Sequence, residues 1–263
     1  GLADLVEAPD GTLYVSSYRA NQVYKITPDG RVTPCLGTGL VGRSEPGDPL
    51  RMDIVPYALA LGPDGTLYVG EGRGSATSRT IPPRLLALSP AGVVSEVPLD
   101  PLLTGGGMQG LALGPDGALY VLYHDSRGVD GRIYRRRGAE LVRVAEGLRT
   151  GENSELALGP DGTLYYSEET AGHVMAIAPA GGAPRPIAGP GVAGPAGTLS
   201  TPGPLGMGPD GTLYVADRTT NLVWAFGPAG AVPQVIAGTQ AAVQAGDVTT
   251  FAINTPGGVA FDE

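Results

Sequence analysis

Short apolar runs alternate with polar and turn-forming residues along the chain, and the alternation restarts at a fixed landmark. PDGTLYV occurs at 9–15, 63–69 and 209–215, with PDGALYV at 115–121 and PDGTLYY at 160–166. The landmarks are spaced by 54, 52, 45 and 49 residues. Short apolar segments precede each one, as at 58–61, 111–113 and 156–158, and segments of alternating apolar and aromatic positions follow. Period-two alternation on both sides of Asp-Gly predicts an antiparallel hairpin, because glycine accepts the positive φ that the turn needs. A third strand is predicted at 22–26, 84–88, 132–135, 173–177 and 222–226. A fourth, rich in Val and Ile, is predicted at 32–36, 93–97, 141–144, 185–188 and 235–237.

Four antiparallel strands recurring about every fifty residues are the unit of a β-propeller, in which each sheet buries its faces against its neighbours. The predicted fold is therefore all-β, a single propeller over 1–263, with units at about 1–54, 55–106, 107–152, 153–201 and 202–254. The run Pro256-Gly-Gly-Val-Ala-Phe261 reads as the first strand of a sixth unit. The expectation is a six-bladed type, incomplete here, that forms part of a larger polypeptide; the alternative is a five-unit ring with one supernumerary strand.

The wording of the repeat resembles the NHL family. Thr33-Pro-Cys-Leu-Gly-Thr-Gly39 leading into Val55 to Val69, Ile236-Ala-Gly-Thr239 leading into Asn254 to Phe261, and Leu213-Tyr-Val-Ala-Asp217 followed by Asn221-Leu-Val carry the likeness. It spans almost the whole chain and implies a bacterial NHL-type propeller of the kind found in sensors and teneurin-like YD-repeat proteins. Such a motif defines a fold and leaves activity open.

Composition narrows the partners. A formal charge of −9 offers no positive field to gather phosphates, so no nucleic acid is expected. There is no run of eighteen apolar residues, and no direct membrane contact is expected. The N-terminal GLADLVEAPDG lacks the basic and apolar segments of a signal peptide, and this reading leaves room for a leader or flanking domains that were removed. The single cysteine, Cys35, sits between Pro34 and Leu36 and reads as a small buried hydrophobe. Arg132, Arg135, Arg136 and Arg137 read as charges on a solvated strand.

Candidate chemistry gathers opposite the PDG turns, where the long connections fall. Registering the units places Asp4, Ala58, Gly110, Glu155 and Pro204 at equivalent channel-mouth positions, each preceded by Ala3, Tyr57, Gln109, Ser154 or Gly203. Asp4 and Glu155 are the metal candidates. Tyr57, Gln109, Asn153 and Ser154 complete the set of channel-mouth candidates, whose oxygens suit a hard cation such as calcium. Just after the second strands come Ser17, Glu71, Tyr123, Glu168 and Asp217, where an acidic residue is expected to accept hydrogen bonds from the backbone of the following turn. Arg19, Glu71, Arg73, His124, Asp125, Glu168, Asp217 and Arg218 are the loop-face candidates. Zinc-dependent amidating lyases related to NHL propellers use several histidines, and this chain has His124 and His173 only. No catalytic residue and no cofactor are therefore assigned. The expected role is a noncatalytic module recognising protein or glycan in an extracytoplasmic setting. The alternative is a metal-dependent hydrolase or lyase acting at the channel.

Overall fold

A computed structural model describes residues 2–72, 82–99, 103, 106–125, 130–228 and 232–238. The described strands form five four-stranded antiparallel sheets, each in chain order. The first contains β1 (Leu2–Glu7), β2 (Leu13–Ser17), β3 (Gln22–Ile26) and β4 (Val32–Leu36). The second contains β5 (Pro56–Leu61), β6 (Leu67–Glu71), β7 (Leu85–Leu88) and β8 (Val94–Val97), and the third β9 (Gly107–Leu113), β10 (Leu119–His124), β11 (Gly131–Arg137) and β12 (Glu140–Leu148). β13 (Leu156–Leu158), β14 (Leu164–Glu168), β15 (His173–Ile177) and β16 (Arg185–Ala188) make the fourth. The fifth is β17 (Pro202–Met207), β18 (Leu213–Asp217), β19 (Leu222–Phe226) and β20 (Gln234–Ala237). The chain divides into two compact units, the first holding three blades and the second two.

The six-bladed expectation is overturned: the blades number five. Each blade takes its innermost strand from its own repeat, so the five landmarks account for the five sheets. The sixth-strand signal at 256–261 lies outside the described residues.

Each landmark is a hairpin with a three-residue loop, a turn over Pro-Asp closed by a left-handed glycine. In the first, Gly11 N–H donates to the Ala8 carbonyl at 2.8 Å, and Asp10 Oδ1 accepts from Thr12 N at 2.9 Å. Gly11 has φ +78. A second glycine constraint closes the fourth strand. Gly37, Gly189 and Gly238 have φ between +87 and +109, and a Cβ there would lie 2.3, 2.2 and 2.1 Å from the carbonyl oxygens of Asn21, Gly172 and Asn221. The glycine of the Leu-Gly and Ala-Gly motifs thus lets the end of the fourth strand pass under the turn between strands two and three.

Within the first unit, Val23 and Leu36 pack against Leu59, Val69 and Leu86 of the next blade, and the connection between the blades adds Met52 and Ile54 to the same cluster. Ala58, Leu85, Met108 and Val121 fill the following junction, where Gly70 is required because a Cβ would approach that of Met108 to 2.8 Å. In the second unit Val174, Leu199, Leu213, Trp224 and Phe226 form the corresponding cluster. At about 25 cal/mol per Å² of apolar surface, these interleaved faces are the main stabilising term. Cys35 is half-buried against the first cluster, and burial pushes its thiol up to about 11, which fits the apolar role read from its flanks.

Candidate functional site

In the first unit the end of the blades opposite the hairpins carries Asp4, Arg19, Tyr57 and Glu71. Asp4 Oδ1 accepts from Leu5 N at 2.7 Å, and its Oδ2 accepts from Leu59 N at 2.6 Å, joining β1 to β5 of the next blade. Burial pushes its pKa up to about 6, against the pull of those two N–H groups. Ser16, fully buried on β2, accepts from Asp4 N at 3.0 Å and donates to the Tyr57 carbonyl. The Tyr57 ring faces Tyr18 at 5.9 Å between centroids, tilted by 39°, and the Arg19 guanidinium lies 6.0 Å from the Tyr18 centroid. Both tyrosines are half-buried, and Arg19 is exposed with no hydrogen bond or ion pair among the described residues.

Glu71 is spent on structure. Its Oε1 accepts from Val55 N at 3.0 Å, and Arg84 Nε donates to its Oε2, with both side chains at most 3% exposed. Burial pushes the Glu71 pKa up, while Arg84 and Val55 N–H pull it down; three N–H donors aimed at its two oxygens hold it as the carboxylate. Arg84 also donates to the Ser44 and Asp53 carbonyls, so the pair pins the long connection that enters β5.

The second unit repeats the scheme. Glu155 N donates to Ser167 Oγ at 2.9 Å, as Asp4 N does to Ser16. Glu168 Oε1 accepts from Arg149 N at 3.0 Å. Asp217 accepts from Ser200 N and Thr201 N at 2.9 and 3.1 Å, and more weakly from Thr219 N and Thr220 N. The acidic residue after the second strand therefore holds the segment entering the first strand of its own blade, and Asp217 also serves the following turn. Asn153 joins Glu169 through its backbone N at 3.0 Å and its Nδ2 at 2.7 Å, and Arg218 Nη1 pairs with the same carboxylate at 2.9 Å. Ser154 Oγ accepts from Gly151 N at 2.8 Å.

Two junctions show one packing rule. In the second blade Gly72 makes room for Tyr57, since a Cβ would lie 2.7 Å from that of Tyr57. In the fifth, Gly203 makes room for Arg218, 3.0 Å from its Cδ. One large side chain and one glycine share each place, and the large one reaches back to the preceding blade, to Tyr18 or to Glu169.

The remaining candidates are dispersed. Gln109 is buried, and its amide oxygen has no hydrogen-bond partner among the described residues. His124 is the buried last residue of β10, opposite Gly107, and Asp125 Oδ1 accepts from Asp130 N at 3.4 Å. Arg73 lies outside the described residues. Asp4 belongs to the first unit and Glu155 to the second. Among the described residues no group of three or more His, Cys, Asp or Glu is arranged to hold a metal ion. Sequence reasoning missed Arg84, Tyr18 and the serines Ser16 and Ser167. The serines were the most accessible of these, being polar residues at a second-strand position that elsewhere holds Gly70, Leu122 or Ala216.

No family model and no curated protein sequence matches the chain. Solved structures do. Virginiamycin B lyase from Staphylococcus aureus is 17% identical with a TM-score of 0.61, over 89% of this chain and 69% of that one. The calcium-binding protein regucalcin from Agrobacterium tumefaciens is 16% identical with a TM-score of 0.63, over 91% and 75%. A gluconolactonase from Xanthomonas campestris is 17% identical with a TM-score of 0.65, over 89% and 75%. At these identities the likeness establishes the fold class, a β-propeller of four-stranded blades, and nothing narrower.

Proposed function

We propose that the chain is an NHL-type propeller acting as a noncatalytic recognition module, whose long-connection end contacts a protein or glycan outside the cytoplasm, as part of a larger bacterial polypeptide. The observation that carries this reading is the cluster of Tyr18, Tyr57 and Arg19. Half-exposed tyrosines beside an uncommitted arginine are the side chains that dominate recognition surfaces, since they offer large rigid area with a polar edge. In the same unit the carboxylate of Glu71 is engaged by the Val55 amide and by Arg84, so it holds the connection in place and does not present free charge.

The test is a glycan array and a capture of secreted proteins, each run with wild type and a Tyr18→Ala/Tyr57→Ala variant of unchanged circular dichroism. Ligands retained by wild type and lost by the variant support the reading. A ligand set that the variant retains in full overturns it.

A second reading has one observation in its favour. Asp4 is a carboxylate held near pKa 6 in a fold whose solved neighbours include a lyase, a gluconolactonase and a calcium-binding protein. On that reading Asp4 and Glu155 are each candidate ligands for a divalent cation such as calcium, used in hydrolysis or elimination on a small molecule. The fit is poor on the Asp4 side, because each of its oxygens already accepts a backbone N–H and keeps only a remaining lone pair for a cation. Metal analysis separates the readings: a stoichiometric divalent ion lost in Asp4→Ala and in Glu155→Ala favours the enzyme.

A further inference from the structure

The two blades of the second unit leave a groove of roughly 620 Å³ between them. It is lined by the hairpin residue Asp161 and by Arg185, with Tyr165, Phe226, Ile187 and Val192 as apolar wall. The volume is that of a small-molecule site, and the lining mixes apolar side chains with a comparable share of polar surface. This place is separate from the residues discussed under the proposed function, and its argument does not depend on them.

The two charged groups differ in how far they are committed. Asp161 Oδ1 accepts from Thr163 N at 2.9 Å and its Oδ2 from Thr163 Oγ1 at 2.8 Å, which holds the carboxyl below its usual range and ties it to the turn. Arg185 is exposed on β16, opposite Ala176, and makes no hydrogen bond or ion pair among the described residues. Its fork of N–H donors matches a carboxylate in two-point contact.

We infer that this groove is a binding site for a small monocarboxylate with an apolar body, its carboxylate paired to Arg185 and its hydrocarbon laid along Tyr165 and Phe226. No covalent step is involved.

Trp224, the single tryptophan of the chain, packs in the same apolar cluster as Phe226 and supplies the readout. Octanoate, octanol and octylamine share one chain length and differ in charge. Titrated into the protein with fluorescence and calorimetry in parallel, octanoate should bind saturably and about tenfold or more tighter than octanol or octylamine, in line with the worth of a charge-assisted pair. Arg185→Gln, at an exposed position, should keep its melting temperature and bind octanoate no better than octanol. Ala193→Phe, at an exposed lining position, should weaken all three together. Absence of saturable octanoate binding would overturn the inference. Octylamine binding as tight as octanoate, or an Arg185→Gln variant with unchanged preference, would do the same.

Discussion

Replacing Glu71 by alanine should destabilise the first unit far more than removal of a surface ion pair would, and the structure says why. The substitution removes acceptors for three donors at once: Val55 N–H and the Nε and Nη2 groups of Arg84. Arg84 is 2% exposed and would keep only the Ser44 and Asp53 carbonyls. Removing one partner of a buried pair costs about 3–5 kcal/mol, because the survivor is a desolvated and uncompensated charge. The orphaned Val55 amide lies within that range and not on top of it. A loss of about 4 kcal/mol corresponds to a fall in Tm of about 8–16 °C for a chain of this size. Salt offers a cross-check, since a pair this buried should be weakened little by 1 M NaCl, where exposed pairs are screened.

The assay is urea unfolding followed by far-UV circular dichroism, because Trp224 sits in the second unit and would report the wrong one. Four proteins are needed: wild type, Glu71→Leu, Arg84→Met and the double variant. If the pair is coupled as the geometry indicates, the double variant should be more stable than the sum of the singles predicts by at least about 2 kcal/mol, since it leaves no buried charge behind. Singles that each cost less than about 1 kcal/mol, or that add without coupling, would refute the reasoning.

Two further outcomes follow from the same physics. The Asp4 carboxyl is raised from its ordinary 3.8 to about 6, so the stability it contributes is fully present below pH 3.8 and lost as pH rises through 6. Asn at this position cannot ionise but leaves one of the Leu5 and Leu59 N–H groups without an acceptor, so the expected outcome of Asp4→Asn is a change with pH: the variant gains on wild type between pH 5 and 7.5, and a difference in urea midpoint that is the same at both pH values would contradict this. Gly37→Ala and Gly189→Ala each force a side chain into left-handed backbone and against a carbonyl oxygen, and each should cost about 2–4 kcal/mol in thermal or urea melts. Gly30→Ala is the comparison: its φ is also positive, but nothing lies within 4 Å, so it should cost about 1–2 kcal/mol.

Much of the fold was legible because its signals are local. The hairpin needs only Pro-Asp-Gly and the flanking alternation, and strands such as His173–Ile177 and Leu222–Phe226 fall where the pattern places them. β12 was read too short, at 141–144 instead of Glu140–Leu148, because Ala145, Glu146 and Gly147 break the run of β-branched residues. Five blades were legible in the five landmarks; whether a sixth belongs to the fold was not. A sequence can announce a first strand, as at 256–261, but the number of sheets is fixed by contacts between blades that lie far apart in the chain. The connections hid their packing for a related reason. Met52, Ile54 and Leu199 are core residues, yet they sit outside any periodic run.

The candidate site divides along the same line. The acidic position after the second strand was visible, but its target was read as the turn that follows, when Glu71 and Glu168 instead reach across the blade to the backbone entering the first strand, 16 and 19 residues upstream in sequence. Arg84 follows two prolines and reads as the charged first residue of a third strand until its burial is known. The hairpin end of each blade is thus set by contacts within a few residues and is chemically repetitive. The opposite end is set by pairings such as Tyr18 with Tyr57 and Glu169 with Arg218, which share one packing rule and differ completely in chemistry. Because glycine can stand on either side of that rule, as Gly72 or as Gly203, a blade can change the side chain it offers its neighbour without disturbing its strands. The side chains offered at the long-connection end can therefore vary from junction to junction while the repeat that announces the fold stays the same.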